Sequence, residues 1–208
     1  MIECAAMDEV ALIQSARGGD LDSFNGLILA YQDSVFNTAL RILGDDQLAA
    51  DASQEAFLSA FRSLHSFRGG SFRAWLLRTV TNACYDELRR RKRRPTVALE
   101  PETANGDEID TPHWLADASM SPEQRAEAAE LQQAIQRCLD GLPTKFRAVV
   151  VLADVQGLDY LEVAAAAGVP LGTVKSRLAR GRLQLRECLR GFRELLPSAF
   201  RLQEDRTG

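Results

Sequence analysis

Apolar side chains recur at intervals of three and four residues along most of this chain, which is the period of an amphipathic helix. Strand-like alternation of apolar and polar positions does not persist over any long stretch. The chain is therefore expected to have an all-α fold. The pattern predicts helices over residues 8–17, 21–43, 47–65, 71–93, 122–140, 143–155, 159–167 and 171–190.

The helical pattern is interrupted between Pro95 and Pro122. This stretch contains four prolines and six acidic residues but no lysine or arginine. Such a composition favours an extended, flexible linker. We therefore predict two helical domains, at residues 1–95 and 122–196, joined by an acidic linker at 96–121 and followed by a flexible tail at 197–208.

The overall composition is that of an ordinary globular protein, with 46% hydrophobic and 26% charged residues and a formal net charge of −4. No uninterrupted apolar run approaches the roughly 20 residues that a membrane-spanning helix needs. The N-terminal segment MIECAAMDEV has neither the basic start nor the apolar core of a secretory signal. We expect a cytoplasmic protein without direct membrane association.

The cysteines are isolated in the sequence, and no two of them form a C-x-x-C pair. The only histidines are His65 and His113. Zinc sites usually need closely spaced Cys and His ligands, so neither a metal site nor another cofactor is predicted. A disulfide framework is not expected either, and the cysteines should be reduced and lie in or near the cores. They are Cys4, Cys84, Cys138 and Cys188.

Residues 159–190 have the pattern of a helix-turn-helix. A short alanine-rich helix is followed by a turn at Gly168–Pro170 and by a longer basic helix. Small residues at 164–166 allow the second helix to pack closely across the first, and Leu161 and Val169 are core candidates. On a helical wheel, one arc of the second helix should face the core. That arc contains Leu171, Val174, Leu178, Gly181, Leu185 and Leu189.

The opposite face of this second helix is small, polar and basic, as a helix entering the major groove of DNA requires. Lys175 and Arg180 could bind guanine edges, Ser176 could bond to either strand, and Ala179 could contact a thymine methyl group. Thr173 and the first backbone N–H groups suit a phosphate. Three further arginines either neutralise the DNA backbone or form a solvated helix face, with Glu187 as partial counter-charge. They are Arg177, Arg182 and Arg186.

A second basic helix follows Ser71, a potential N-cap. Its predicted buried arc contains Phe72, Leu76, Val80 and Ala83. A separate stripe of aromatic, amide and basic side chains suits single-stranded nucleic acid, and the basic run at 89–94 would be stabilised by a polyanion. Alternatively, the stripe's tryptophan is a core aromatic, and the basic run is a solubilising tail or an interdomain contact. The nucleic-acid-binding candidates on this helix are Trp75, Arg78, Asn82, Tyr85, Arg89 and Arg90.

The preceding helix combines an apolar side with an acidic one. Phe57, Phe61 and Leu64 are predicted core residues. The other side, with an exposed leucine rimmed by charges, suits docking of a protein partner. Its acidic residues could instead only complement the positive end of the helix dipole. This candidate docking face consists of Asp51, Gln54, Glu55, Leu58 and Arg62.

Together these segments resemble the extracytoplasmic-function (ECF) group of bacterial RNA polymerase sigma factors. The resemblance rests on DASQEAFLSAFRSLHSFRGGSFRAWLLRTVTNACYDELRRRKRRP and on LPTKFRAVVVLADVQGLDYLEVAAAAGVPLGTVKSRLARGRLQLRE. It implies that the docking face binds the clamp helices of the large subunit of core RNA polymerase. It also implies that residues 66–94 recognise and melt the minus-ten promoter element, with Asn82 near the non-template strand. Residues 173–182 would read the minus-thirty-five element as duplex DNA.

The resemblance further implies that the acidic linker threads toward the polymerase active-site cleft, and that an anti-sigma factor holds the protein inactive. The function predicted on these grounds is that of a promoter-specificity factor with no catalytic residue. One alternative is a helix-turn-helix regulator that acts without polymerase, with the N-terminal domain sensing a ligand or dimerising. A less favoured alternative is an enzyme with a metal held by Asp51 and Glu55, but no histidine or nucleophile motif lies near them.

Overall fold

The computed structural model describes residues 8–93 and 121–196, and these contain helices but no strand. The predicted all-α fold is confirmed. The predicted linker, apart from Ser121, and the predicted tail lie outside the described residues. The α-helices are α1 (Glu9–Arg17), α2 (Leu21–Leu43), α3 (Asp46–Ser63), α4 (Phe72–Arg93), α5 (Pro122–Asp140), α6 (Thr144–Val150), α7 (Tyr160–Ala167) and α8 (Leu171–Arg190).

Three shorter helical turns complete the described chain. A π-helical turn, Val151–Val155, extends α6, and 3-10 turns lie at Leu64–Ser66 and Arg193–Leu195.

Side-chain caps mark the starts of several helices. Asp8, Asp20 and Asp45 accept hydrogen bonds from backbone N–H groups at the starts of α1, α2 and α3. Ser121 and Asp159 form capping boxes at α5 and α7.

Helices α1 to α4 pack together, with Val35, Ile42, Phe72 and Val80 among the fully buried side chains. Leu64 is buried as predicted, but the prediction of Phe61 as a core residue is wrong. Its side chain is 39% exposed and lies against the ring of Phe24, with 4.9 Å between the centroids.

The buried face of α3 consists of small residues instead of the predicted aromatic ones. Small side chains let α3 approach α2 and α4 closely, which turns the phenylalanines toward the rim of the core. Phe57 is accordingly only partly buried. The alanines on this face are Ala49, Ala52, Ala56 and Ala60.

Helices α5 to α8 contain the predicted helix-turn-helix. Gly168 ends α7 with a φ of 63°, the left-handed conformation that favours glycine. Val163 and Ala166 are the buried residues of α7. Leu161, two positions before Val163, points away from them and is 68% exposed, so its prediction as a core residue is wrong. Val169 packs against the core as expected.

The two groups of helices contact each other directly, because α4 packs on α7 and α2 packs on α5. Polar bonds accompany this packing. Arg41 donates to Gln136 at 3.0 Å and also to Gln132. Gln156, only 6% exposed, accepts from the Ser34 hydroxyl at 2.7 Å and from Arg73 at 3.0 Å. Buried apolar residues of both groups of helices also form one continuous core.

Cys138 and Cys188 form a disulfide, so the prediction of reduced cysteines is wrong for this pair. The two residues are separated by 50 positions in sequence, but their Cα atoms lie 5.6 Å apart because the ends of α5 and α8 are neighbours. Cys84 is buried and free, and burial raises the pKa of its thiol to about 12. Cys4 lies outside the described residues.

Candidate nucleic-acid interface

The outward face of α8 has the composition expected from the sequence. Val174, Leu178 and Gly181 are buried, which turns the opposite side of the helix to solvent. Thr173, in the first turn of α8, is partly buried. Ser176 donates to the Thr173 carbonyl at 3.0 Å and keeps lone pairs for a further donor. The exposed residues of this face include Lys175, Ser176, Ala179 and Arg180, and Leu183 further along the same side is 65% exposed.

The first turn of α8 offers backbone donors to solvent. Pro170 stands at the N-cap position, where no side chain caps the helix. A Cβ atom placed on Gly172 would meet no atom within 4 Å, so the space beside this turn is open. Uncapped N–H groups together with the helix dipole favour an anion at such a position.

The three additional arginines of α8 differ in their surroundings. Arg182 donates from Nε and Nη2 to the Asp154 carboxylate, at 3.0 and 2.6 Å. The hydrogen bonds to Asp154 are the main cause of a raised pKa of Arg182. Arg177 is partly buried and lies close enough to Tyr85 of α4 to oppose the upward shift that burial gives the tyrosine pKa. Arg186 is exposed.

The predicted stripe on α4 forms a continuous face with both exposed and half-buried members. Arg78, Asn82 and Arg89 are exposed, whereas Trp75 and Tyr85 are partly buried and pack against the core. The Trp75 ring lies 5.5 Å from the rings of Phe67 and Phe72. Trp75 therefore belongs to an aromatic cluster and is also partly exposed at the surface.

Acidic residues one turn earlier on α4 partly neutralise the basic run. Arg89 pairs with Asp86, and Arg90 pairs with Glu87 at 2.6 Å. Arg91 lies 3.6 Å from Glu87 and 3.8 Å from Asp45. Asp86 and Glu87 were not predicted as partners of these arginines, although their spacing of three and four residues along α4 is the one at which helical side chains pair. Arg94 lies outside the described residues.

The candidate docking face forms one wall of an open groove between α3 and α4. Asp51, Gln54, Glu55 and Leu58 are all exposed along it, and Leu58 is 44% exposed. Arg62 lies beside them, 4.0 Å from Glu55. The opposite wall includes Asp86, Glu87 and Arg90. The α3 wall of the groove was therefore predicted, but the acidic residues of the α4 wall were not. The face of α4 that meets α3 depends on how the two helices pack, which the sequence pattern of either helix does not show.

No group of three or more His, Cys, Asp or Glu side chains within 8–93 and 121–196 is arranged to hold a metal ion. Over the same ranges, no helix combines the length and apolar character required to cross a membrane.

Comparison with known proteins matches both halves of the chain to one class of protein. A family model described as Sigma-70 region 2 matches residues 27–94, and one described as Sigma-70, region 4 matches residues 132–185. The structure of CnrH in complex with the cytosolic domain of CnrY superposes with a TM-score of 0.62 at 25% identity, covering 88% of this chain and 97% of that one.

Two characterised relatives cover most of the chain. The ECF RNA polymerase sigma factor SigE of Mycolicibacterium smegmatis is 40% identical over 81% of this chain, which spans 62% of the length of that protein. The ECF RNA polymerase sigma factor SigW of Bacillus subtilis is 34% identical over 86% of this chain and 95% of its own length. Because both family models match in order and SigW aligns over nearly its full length, the chain belongs to the ECF group of RNA polymerase sigma factors.

Proposed function

We propose that this chain is a promoter-specificity subunit that binds core RNA polymerase in the cytoplasm and directs initiation at promoters with minus-ten and minus-thirty-five elements. It is not an enzyme in this proposal, because its residues supply binding free energy and no chemical step. The observation that carries the proposal is the presence, in one chain of this family, of an exposed basic face on α8 and an acidic, apolar groove between α3 and α4.

In this proposal α8 reads the minus-thirty-five element as duplex DNA. Lys175 and Arg180 donate to guanine edges, and Ser176 and Ala179 make the shorter contacts that let the helix approach the bases. Thr173 and the uncapped first turn of α8 bind a phosphate and fix the register. Arg182 would neutralise charge of the DNA backbone only if it left its hydrogen bonds to Asp154.

The stripe on α4 binds the melted minus-ten element. Opening duplex DNA costs about 1.4 kcal/mol per base-pair step in lost stacking. Stacking of an extruded base on an aromatic side chain returns about 1–3 kcal/mol. Trp75 and Tyr85 could each contribute such a contact, and Asn82 could bond to a base edge. The backbone of the strand would follow the cations of the same face, which are Arg78, Arg89 and Arg90.

The groove between α3 and α4 binds core polymerase. Leu58 provides an apolar contact, and Asp51 and Glu55 give the groove a charge that suits a basic or mixed-charge partner helix. Gln54 can donate and accept hydrogen bonds, and Arg62 extends the face at its C-terminal end. An anti-sigma factor is the further partner proposed, because the resemblance implies one. It would act by covering these same surfaces.

The deciding experiment is transcription in vitro with purified core polymerase on a library of genomic fragments. We expect starts at promoters that share two upstream elements, and none with core polymerase alone. The free chain should bind the same promoters poorly at physiological salt, because its net charge of −4 opposes a polyanion. Tight binding to a palindromic site without polymerase would instead support the helix-turn-helix regulator. Failure to direct initiation would refute the proposal.

A further inference from the structure

Arg182 joins α8 to the π-helical turn that follows α6. Its Nε and Nη2 atoms donate to the two carboxylate oxygens of Asp154 at 3.0 and 2.6 Å, in the forked geometry that favours this pair. Asp154 belongs to the π-helical turn that follows α6. One side chain of α8 thereby holds the turn that precedes α7.

The residue before Arg182, Gly181, lies directly against α6. A Cβ atom on Gly181 would lie 2.7 Å from Cγ2 of Val150 and 3.5 Å from Cβ of Phe146. The backbone of α8 therefore rests directly on α6 at this position. Gly181 fixes the separation of the two helices, and the adjacent pair between Arg182 and Asp154 restricts rotation of α8 about its own axis.

The residues proposed to read DNA lie within two turns of this contact. Arg180, Ala179, Ser176 and Lys175 precede Gly181 on the same rigid helix. Because α8 turns as a rigid body, a small rotation of the helix about its axis at Gly181 moves every one of these side chains relative to the base edges. The orientation of the reading face thus depends on what holds α8 at its middle.

We propose that Arg182 is a positioning residue for minus-thirty-five recognition: its pair with Asp154 sets the rotation of α8, and Arg182 does not bind a phosphate. This inference rests on the proposed function of α8. A phosphate contact would require Arg182 to give up charge-assisted hydrogen bonds to Asp154. The two roles predict opposite effects for removal of Asp154, which makes them separable.

The first test compares Asp154→Ala with Glu187→Ala in the complete holoenzyme. Each change removes one carboxylate that pairs with an arginine of α8, but Glu187 pairs with Arg190 at 2.8 Å, about two turns beyond Arg180 toward the C-terminus. Affinity is measured for promoters with an intact and with a scrambled minus-thirty-five element. A positioning role predicts that Asp154→Ala lowers the ratio of the two affinities by roughly tenfold, the scale of one misplaced base contact. Glu187→Ala should leave the ratio unchanged.

If Arg182 binds a phosphate, Asp154→Ala should instead tighten binding to both promoters alike, because it frees the arginine. The salt dependence gives a second distinction. Loss of a phosphate contact in Arg182→Gln lowers the slope of log affinity against log salt by about 1, whereas loss of a positioning residue leaves the slope unchanged.

A charge-swapped variant protects the test against simple misfolding. Asp154→Arg combined with Arg182→Asp restores the pair and should recover discrimination between the two promoters, although the cation has moved off α8. No recovery, with thermal unfolding like that of the natural protein, would overturn the proposal. A natural holoenzyme that ignores the minus-thirty-five element altogether would refute the proposed function of α8 instead.

Discussion

The guanidinium group of Arg147 in α6 donates a hydrogen bond of 2.7 Å to the backbone carbonyl of Ile42 in the last turn of α2. The same side chain donates to the Asp140 carbonyl at 2.6 Å and to the Asp140 carboxylate at 3.0 Å. Burial lowers the pKa of Arg147, and Asp140 opposes that shift. A largely buried charge therefore satisfies acceptors from both groups of helices at once.

We expect Arg147→Ala to lower the free energy of unfolding by about 2–4 kcal/mol, because the carbonyls of Ile42 and Asp140 and the Asp140 carboxylate all lose the same charged donor. Arg190→Ala is the matched control. Arg190 pairs with Glu187 on the surface of α8, and removal of such a pair should change stability by less than about 1 kcal/mol. Urea unfolding followed by circular dichroism measures both. Equal effects of the two substitutions would contradict the role assigned to Arg147.

Reduction of the disulfide should destabilise the helices of the C-terminal half. The bond between Cys138 and Cys188 closes a loop whose ends are 50 residues apart, and a loop of that length corresponds to about 4 kcal/mol of chain entropy in the unfolded state. We expect a lower midpoint of thermal unfolding when dithiothreitol is present. The double variant Cys138→Ala and Cys188→Ala should unfold at the same temperature with or without the reductant. A reductant effect that persists in this variant would have to come from another thiol.

Substitution of Arg180 should separate base reading from charge neutralisation. If Arg180 donates to a guanine edge, Arg180→Ala costs about 1–3 kcal/mol of discrimination at one position of the minus-thirty-five element. Holoenzyme binding to a panel of single-base promoter variants measures this. Uniform weakening across the panel, with a reduced salt slope, would identify Arg180 as a phosphate contact.

Leu58→Asp should impair capture of core polymerase without unfolding the protein. Leu58 is 44% exposed in the groove, so a polar replacement leaves the core intact but removes an apolar contact. We expect roughly tenfold weaker binding to core polymerase in a fluorescence competition assay. Leu29→Asp, at a leucine of α2 that is 68% exposed and outside the groove, is the control and should bind normally. Similar losses for both would argue against the groove as the docking site.

The helices were predictable because their ends are determined locally. Asp20 and Asp159 cap the helices that follow them, and Gly168 supplies the left-handed turn, so the predicted bounds of α2 and α8 agree with the structure and those of α7 differ by one residue. The exposed face of α8 was predictable for the same reason, since the helical period and the apolar arc fix its direction.

The incorrect predictions, and the contacts that the sequence did not reveal, concern residues whose surroundings come from distant parts of the chain. Phe61 is displaced to the rim because α3 uses alanines to approach its neighbours. The partners of Arg182 and Cys188 lie 28 and 50 residues away in sequence. Periodicity ranks the faces of a single helix, but it does not indicate which face of a second helix meets it. Pairings of this kind require the tertiary structure.

The Cys138–Cys188 bond makes a covalent ring of the segment between them, and the exposed residues Gly168 and Pro170 lie inside it. A protease that cleaves the chain once within the ring opens it without dividing the molecule. The nicked protein would migrate as a full-length species on a non-reducing gel and as two fragments after thiol treatment. Helix α8 would thus remain attached to its scaffold after such damage.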